Sequence, residues 1–330
     1  MKQSQPEIHQ QQLGPNLTFY DMQPPMTDML TEVRASLTST PPSLHPKYFY
    51  DETGSTLFDR ITRTAEYYPT RTETGLLNRY AEEIYQRLGK PQTIAEPGAG
   101  SCEKVRLLLE AWSPAHYMPL EISRQCLLDA SHKLASQFPA MQISAICADY
   151  CQAMTIPDSL APAGRVVFFP GSTIGNFEPT ERLGFLQGLR QLAGPGGALL
   201  IGADLQKDPA RLNAAYNDRA GHTAAFNLNA LHHLNRELDC GFDPAAFHHL
   251  AFYNTEQQRI EMHLECLRDQ HIRLGDRQLT ISAGTRIHTE NSYKFSVEDF
   301  SALLTRAGFR PAGSWVDDDN LFSLHLAIVD

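Results

Sequence analysis

From Thr93 onward, short apolar runs alternate with stretches whose apolar residues recur every three or four positions. TIAE (93–96), HYMPLE (116–121), QISAICADY (142–150), RVVFF (165–169) and ALLIGADL (198–205) have the length and composition of buried strands. Between them, residues 102–112, 123–138 and 179–193 carry helical periodicity, and GPGG at 194–197 closes the last. This alternation predicts an α/β chain built on an open, mostly parallel sheet.

After Leu205 the rhythm changes. Residues 206–240 read as mostly helical, and 250–288 as β-rich through RIEMHLECLRD and HIRLGDRQLTISAG. SVEDFSALLTRAGF returns as an amphipathic helix, with Ser296 as N-cap and Gly308 as its stop. RPAGSWVDDDNLFSLHLAIVD then predicts two strands around an acidic turn. Helix and hairpin would complete a seven-stranded sheet with one reversed edge strand. On this reading the chain divides into a flexible polar tail (1–27), an N-terminal substrate-binding segment (28–85), a cofactor core (86–205), an inserted α+β substrate-binding segment (206–285) and a substrate-recognition loop with the C-terminal completion of the core (286–330). The two appendages would enclose a substrate.

Composition narrows the classes. With 330 residues, 42% of them hydrophobic, the chain can bury a large core. A net charge of −10 with no long Lys/Arg run argues against nucleic acid or an anionic membrane as partner. No apolar stretch approaches the roughly 18 residues of a membrane span, and MKQSQPEIHQQQLGPN lacks the apolar centre of a signal peptide. Cysteines at 102, 126, 147, 151, 240 and 266 fit neither a disulfide framework nor a zinc pattern, so reduced thiols in a cytoplasmic protein are expected. No metal is expected either: HHLNRE, with His232, His233 and Glu237, reads as solvated helix surface.

IAEPGAGSCEK (94–104) is a strand, a glycine turn and a helix start, the layout that brings backbone close to a nucleotide. A P-loop needs Lys followed by Ser/Thr after its second glycine, but Lys104 is at the wrong offset and Val105 follows it. A dinucleotide fingerprint needs a third glycine where Glu103 stands, and a carboxylate there opposes pyrophosphate. S-adenosylmethionine (SAM) has no phosphate at its methionine end, only an ammonium and a sulfonium. An acid-rich E-x-G-x-G loop suits it: Gly98 and Gly100 admit the cofactor, and Glu96 offers a balancing carboxylate. Glu121, 21 residues after Gly100, is placed for the ribose hydroxyls, and Asp149 for the adenine amine. The competing reading is polar strand ends of some other α/β protein.

Ahead of the sheet, KYFYDETGSTLFDRITRTAEYYPTRTE (47–73) gathers Tyr48, Phe49, Tyr50, Phe58, Tyr67 and Tyr68. Two readings stand together. The rings pack helices, or they form a lid over a small cationic or aromatic substrate, since each buried phenol needs a partner.

FYDETGSTLFDRIT with EYYPTRTE, EPGAGSCEK, FFPGSTIGNF, GADLQKD, AAYNDRAG, RIEMHL and TENSYKF together closely resemble the histidine Nα-methyltransferases of ergothioneine biosynthesis, in consistent order from about residue 45 to 330. The resemblance implies a Rossmann-like class I SAM-dependent methyltransferase sheet with an additional α+β substrate-binding domain. It implies trimethylation of the α-amino group of L-histidine to hercynine, with the mono- and dimethylated intermediates as further substrates. Carried over by motif, Asn176 and Tyr216 hold the substrate carboxylate, Tyr50 and Tyr67 stand near the amine, and Gly171 lies beside it. Glu290 and Ser292 read the imidazole, with Met262 and Phe58 lining the pocket. The cofactor positions are Glu96, Gly98, Gly100, Lys104, Glu121, Asp149 and Tyr150. Pro97 and Ala99 depart from the family's more frequent E-L-G-S-G, and Glu121 stands where aspartate is usual, but no group the chemistry needs is lost. The open alternatives are the same scaffold acting on tryptophan, tyrosine or a histidine ring nitrogen, and a silent SAM-binding protein.

Overall fold

The computed structural model describes residues 9–22, 28–150, 160 and 164–330. Its strands are β1 (His9–Gly14), β2 (Leu17–Asp21), β3 (Thr93–Pro97), β4 (His116–Glu121), β5 (Gln142–Cys147), β6 (Val166–Phe169), β7 (Ala198–Asp204), β8 (Phe247–Asn254), β9 (Arg259–Cys266), β10 (Gln270–Leu274), β11 (Arg277–Ile281), β12 (Arg286–Tyr293), β13 (Arg310–Val316) and β14 (Phe322–Ile328). The helices are α1 (Met29–Leu37), α2 (Glu52–Thr62), α3 (Pro69–Arg87), α4 (Val105–Trp112), α5 (Arg124–Gln137), α6 (Pro179–Ala193), α7 (Pro209–Ala215), α8 (His222–Leu238) and α9 (Val297–Arg306). One sheet runs β1-β2-β5-β4-β3-β6-β7-β14-β13, a second β12-β9-β8, and β10-β11 form a hairpin.

Strands β3 to β7 pair in parallel, as their uninterrupted apolar runs predict. Neighbouring residues point to opposite faces, and both faces are covered. Ile94, Tyr117, Ile143 and Leu200 face Leu77, Leu108 and Leu127 of α3, α4 and α5. Ala95, Met118, Val167 and Leu199 face Leu186 and Leu304 of α6 and α9. Ser296 caps α9, its hydroxyl accepting the Asp299 N–H at 3.0 Å, and Gly308 follows the helix at φ +89°.

Three expectations need correction. Residues 9–21 are not a flexible tail: β1 and β2 form a hairpin, and β2 lies parallel to β5. Leu17 and Phe19 are buried, and the Asn16 amide donates to the carbonyls of Ala135, Phe138 and Met141. The glutamines of β1 stay exposed, so the apolar signal is confined to a few residues of β2. Residues 1–8 and 23–27 of the expected tail lie outside the described residues. The sheet therefore has nine strands rather than seven. Its reversed strand β14 is also not at the edge, because it lies between β7 and β13, antiparallel to both.

The third correction concerns the appendages, which share one core. Val33, Leu37, Tyr48, Phe49 and Ile61 pack with Phe226, Leu231, Ile260, Leu264 and Ile287. Neither segment closes an apolar interior alone, and together they make a lobe of α1, α2, α7 and α8 around the sheet β12-β9-β8. Helix α3 belongs to the main sheet through Leu76, Leu77 and Ile84, so the first appendage ends near Tyr68 rather than at 85. The expected substrate-recognition loop at the start of 286–330 is a strand, β12, paired with β9 inside the lobe.

Candidate active site

The carboxyl ends of the adjacent strands β5, β4 and β3 bring the expected cofactor residues together. After β3 the backbone turns through Gly98 at φ +69° and Gly100 at φ +50°, and a Cβ on Gly98 would meet the Tyr150 hydroxyl at 3.0 Å. The Gly98 N–H donates to the Leu120 carbonyl at 2.8 Å, and the Gly100 N–H to Glu121 Oε2 at 3.2 Å. Glu121 Oε1 accepts the N–H groups of Ile122 and Ser123 at 2.9 and 3.1 Å, so one carboxylate ties the glycine loop to the approach of α5. Asp149 and Tyr150 follow β5, and the Tyr150 ring meets Phe169 and Phe185 edge-on. Glu96 lies beneath the loop, 2% exposed, and accepts the Tyr117 hydroxyl. Burial pushes its carboxyl up to about 8, so it is mostly protonated at neutral pH rather than an open counter-charge.

Glu73 was not singled out in the sequence. It is fully buried in α3 and accepts the Gly171 N–H at 2.8 and 2.9 Å and Lys104 Nζ at 2.6 Å. Lys104 thus directs its charge to Glu73. The triad clamps α3, the start of α4 and the turn after β6. A signal did exist: Glu73 shares the helix face of Leu76 and Leu77, three and four residues on, where a charge demands a partner.

The turn after β6 runs through Gly171 into a short 3-10 segment, Thr173–Asn176. Gly175 passes so close to β12 that a Cβ would lie 2.8 Å from the Tyr293 carbonyl oxygen. That approach sets Asn176 against β12, with Nδ2 3.4 Å from Glu290 Oε2. A bulge between His288 and Glu290 interrupts the pairing with β9. Ile287 stands opposite Leu264, and past the bulge Glu290 stands opposite Met262 and Ser292 opposite Ile260. The extra residue keeps Glu290 and Ser292 on the lobe's inner face; strict alternation would have turned them outward with His263 and Glu261. Glu290 is 8% exposed, and burial raises its carboxyl to about 7 against the opposing pull of Lys294. Met262, 1% exposed, packs in the lobe's core. The Tyr216 hydroxyl lies 2.9 Å from Ser292 Oγ.

Aromatic rings line the approach. Successive centroids of Tyr50, Phe58, Tyr67 and Tyr216 are 5.9, 6.3 and 6.3 Å apart, with Phe226 5.3 Å from Tyr50. Tyr50 sits between the 3-10 turn Pro46–Phe49 and the Asp51 cap of α2. It remains 45% exposed while its electrostatic neighbours are Glu290, Tyr67, Tyr150 and Tyr216. Desolvation, followed by the nearby acid and phenols, raises the Tyr50 and Tyr67 hydroxyls well above their ordinary value. Both stay protonated near neutrality, so they act as dipoles and not as bases. The two readings of the aromatic stretch divide by residue: Tyr48, Phe49 and Tyr68 are core, while Tyr50, Phe58 and Tyr67 retain exposed surface.

A second buried cluster was also missed. Asp204, at the end of β7 and 1% exposed, accepts the Tyr68 hydroxyl at 2.9 Å, Lys207 Nζ at 2.5 Å and Lys294 Nζ at 2.8 Å. Burial works against ionisation, yet Lys294 and Lys207 hold the carboxyl below its ordinary value. The signal for Lys294 was spacing: it lies two and four residues beyond Ser292 and Glu290, in the alternation of a strand.

The profile of the family described as histidine-specific, SAM-dependent methyltransferase matches residues 29–329. A histidine N-alpha-methyltransferase of Mycolicibacterium smegmatis is 43% identical over 304 residues, covering 90% of this chain and 94% of that protein. One of Mycobacterium tuberculosis is 40% identical over 303 residues, covering 90% and 93%. Ergothioneine biosynthesis protein 1 of Neurospora crassa is 31% identical over 299 residues, covering 87% of this chain and 33% of that longer protein.

Proposed function

The chain belongs to the SAM-dependent, histidine-specific methyltransferase family, and on that premise we propose that it methylates the α-amino nitrogen of L-histidine three times, forming hercynine for ergothioneine biosynthesis. The donor set suits SAM. Gly98 and Gly100 keep the loop backbone bare for the methionine end, Glu121 would take the ribose hydroxyls, and Asp149 and Tyr150 would meet the adenine. Bound there, SAM supplies an already activated methyl group. The chain's own contribution is therefore mainly positioning.

Glu290 would accept the imidazole N–H, Ser292 would contact the other ring nitrogen, and Asn176 would donate to the substrate carboxylate, while the Tyr216 hydroxyl, expected there too, is engaged by Ser292 instead. Tyr50 and Tyr67 would orient the free amine through their phenol oxygens. Each methylation exchanges an N–H for a methyl, and the surrounding ring faces favour the growing cation. The observation that carries the histidine assignment is Glu290 itself: a buried carboxylate turned inward by a bulge, which a substrate lacking a ring donor would leave unpaired. No helix among the described residues is long and apolar enough to cross a membrane.

The test is incubation with SAM and L-histidine, followed by product mass and fragmentation. Three methyls on the α-nitrogen are expected. Methylation of the imidazole would overturn the substrate pose, and turnover of tryptophan or tyrosine instead would overturn histidine as the substrate.

A further inference from the structure

Lys294 carries a consequence beyond that assignment. Its side chain is fully buried, and its ammonium has three N–H groups with three partners in reach: Asp204 Oδ2 at 2.8 Å, Ser292 Oγ at 2.7 Å and the Tyr216 hydroxyl at 3.3 Å. We propose that Lys294 is a positioning residue that determines specificity: it holds Ser292 as a hydrogen-bond donor, so the site takes the neutral imidazole with its unprotonated nitrogen facing Ser292. The proposal rests on the reading that Glu290 and Ser292 hold the ring.

A serine hydroxyl has one proton and two acceptor positions. Lys294, which has only donors, fills one of those positions. The Ser292–Tyr216 contact at 2.9 Å uses one hydroxyl proton. A phenol is the stronger donor and weaker acceptor of the two, and the shorter Lys294 contact falls on Ser292, so that proton comes from Tyr216. Ser292 then accepts twice and has only its own proton left to offer. A bare ring nitrogen satisfies that proton. An imidazolium would oppose it with a second N–H, and a ring with C–H at that place would leave it unpaired in a buried site.

Asp204 keeps the ammonium in place, being itself fixed by Tyr68 and Lys207. Glu290 and Ser292 on the inner face of β12, and Lys294 just beyond its end, therefore act as one unit. Acceptor, donor and the group that makes it a donor follow one another at every second residue, 290, 292 and 294.

The test titrates L-histidine into enzyme saturated with S-adenosylhomocysteine, comparing wild type with Lys294→Met, Lys294→Gln, Ser292→Ala and Lys294→Met/Ser292→Ala. Each lysine variant should weaken histidine at least about tenfold while S-adenosylhomocysteine affinity holds within about threefold. In the Ser292→Ala background, adding Lys294→Met should cost less than about threefold more, because the two act through one contact. Equal losses in both backgrounds, or matching losses for both ligands, would reduce Lys294 to a structural role and overturn the proposal. Ser292→Ala binding histidine as tightly as wild type would instead remove the underlying ring assignment. A measurement on wild-type protein needs no variant to fold: pyrrolylalanine, which keeps the N–H but has C–H for the bare nitrogen, should bind at least about tenfold more weakly than histidine. Equal binding would overturn the donor assignment.

Discussion

Replacing Glu290 by glutamine should make the ligand-free protein more stable at alkaline pH while impairing its use of histidine. Glu290 is buried, and its carboxyl rises from the ordinary 4.5 to about 7. A carboxyl raised in the folded state resists ionisation there. It costs nothing well below 4.5, where both folded and unfolded chains are protonated. The cost grows between 4.5 and about 7 and is constant above that. At about 1.36 kcal/mol per pH unit, the full cost is roughly 3 kcal/mol. Glutamine keeps the volume, removes the charge, and can still accept from Asn176. Unfolding entropy for a chain of 330 residues is about 0.7 kcal/mol/K, so the gain corresponds to roughly 4 °C. Thermal unfolding without ligand, at pH 4.5 and pH 8, reads this directly. Glu290→Gln should melt with wild type at the lower pH and above it by a few degrees at the higher. Histidine should then raise the wild-type midpoint much more than the variant's, and kcat/KM should fall by roughly 10- to 100-fold, the loss of a charged acceptor. A variant that melts at or below wild type at pH 8, or by the same margin at both pH values, would refute the reasoning. The binding carboxylate is on this account a destabilising group that the substrate relieves.

The adjacent tyrosines should separate cleanly. Tyr68→Phe strips a hydrogen bond from buried Asp204 and should lower thermal stability by about 1–3 kcal/mol, whereas Tyr67→Phe should leave the melt nearly unchanged and lower kcat/KM about tenfold; unfolding and kinetics on both variants decide it. Glu73→Gln leaves Lys104 without its ion pair, and because Lys104 is 25% open to solvent the loss should be nearer 2 kcal/mol than the larger values of sealed pairs. S-adenosylhomocysteine affinity should fall with it, since Glu73 anchors Lys104 and Gly171; a lowered melt with unchanged affinity would show that the clamp supports only the fold.

Some of this was determined by the sequence alone. Strands covered on both faces must be apolar throughout, so β3 to β7 announce themselves, and the acids and glycines at their carboxyl ends are local features read in order. Ser296 as a helix cap is equally local. The motif blocks carried the chemistry for the same reason, since Glu290 and Ser292, or Gly98 and Gly100, lie within a few residues of one another. Tertiary structure decided the rest. Periodicity does not show that residues 28–68 and 206–293 complete one interior, because that pairing joins surfaces far apart in the chain. Neither does it show that β14 enters between β7 and β13, nor that a glutamine-rich strand is carried by a few apolar contacts of its neighbour. One bulge residue sets which face Glu290 takes, and that register depends on the partner strand. Glu73, Asp204 and Lys294 carry in sequence at most a positional hint of burial and nothing that names their partners. What buries them is a counter-charge brought from another element, 31 residues away for Glu73 and Lys104, and a buried charge survives only where the fold delivers that partner.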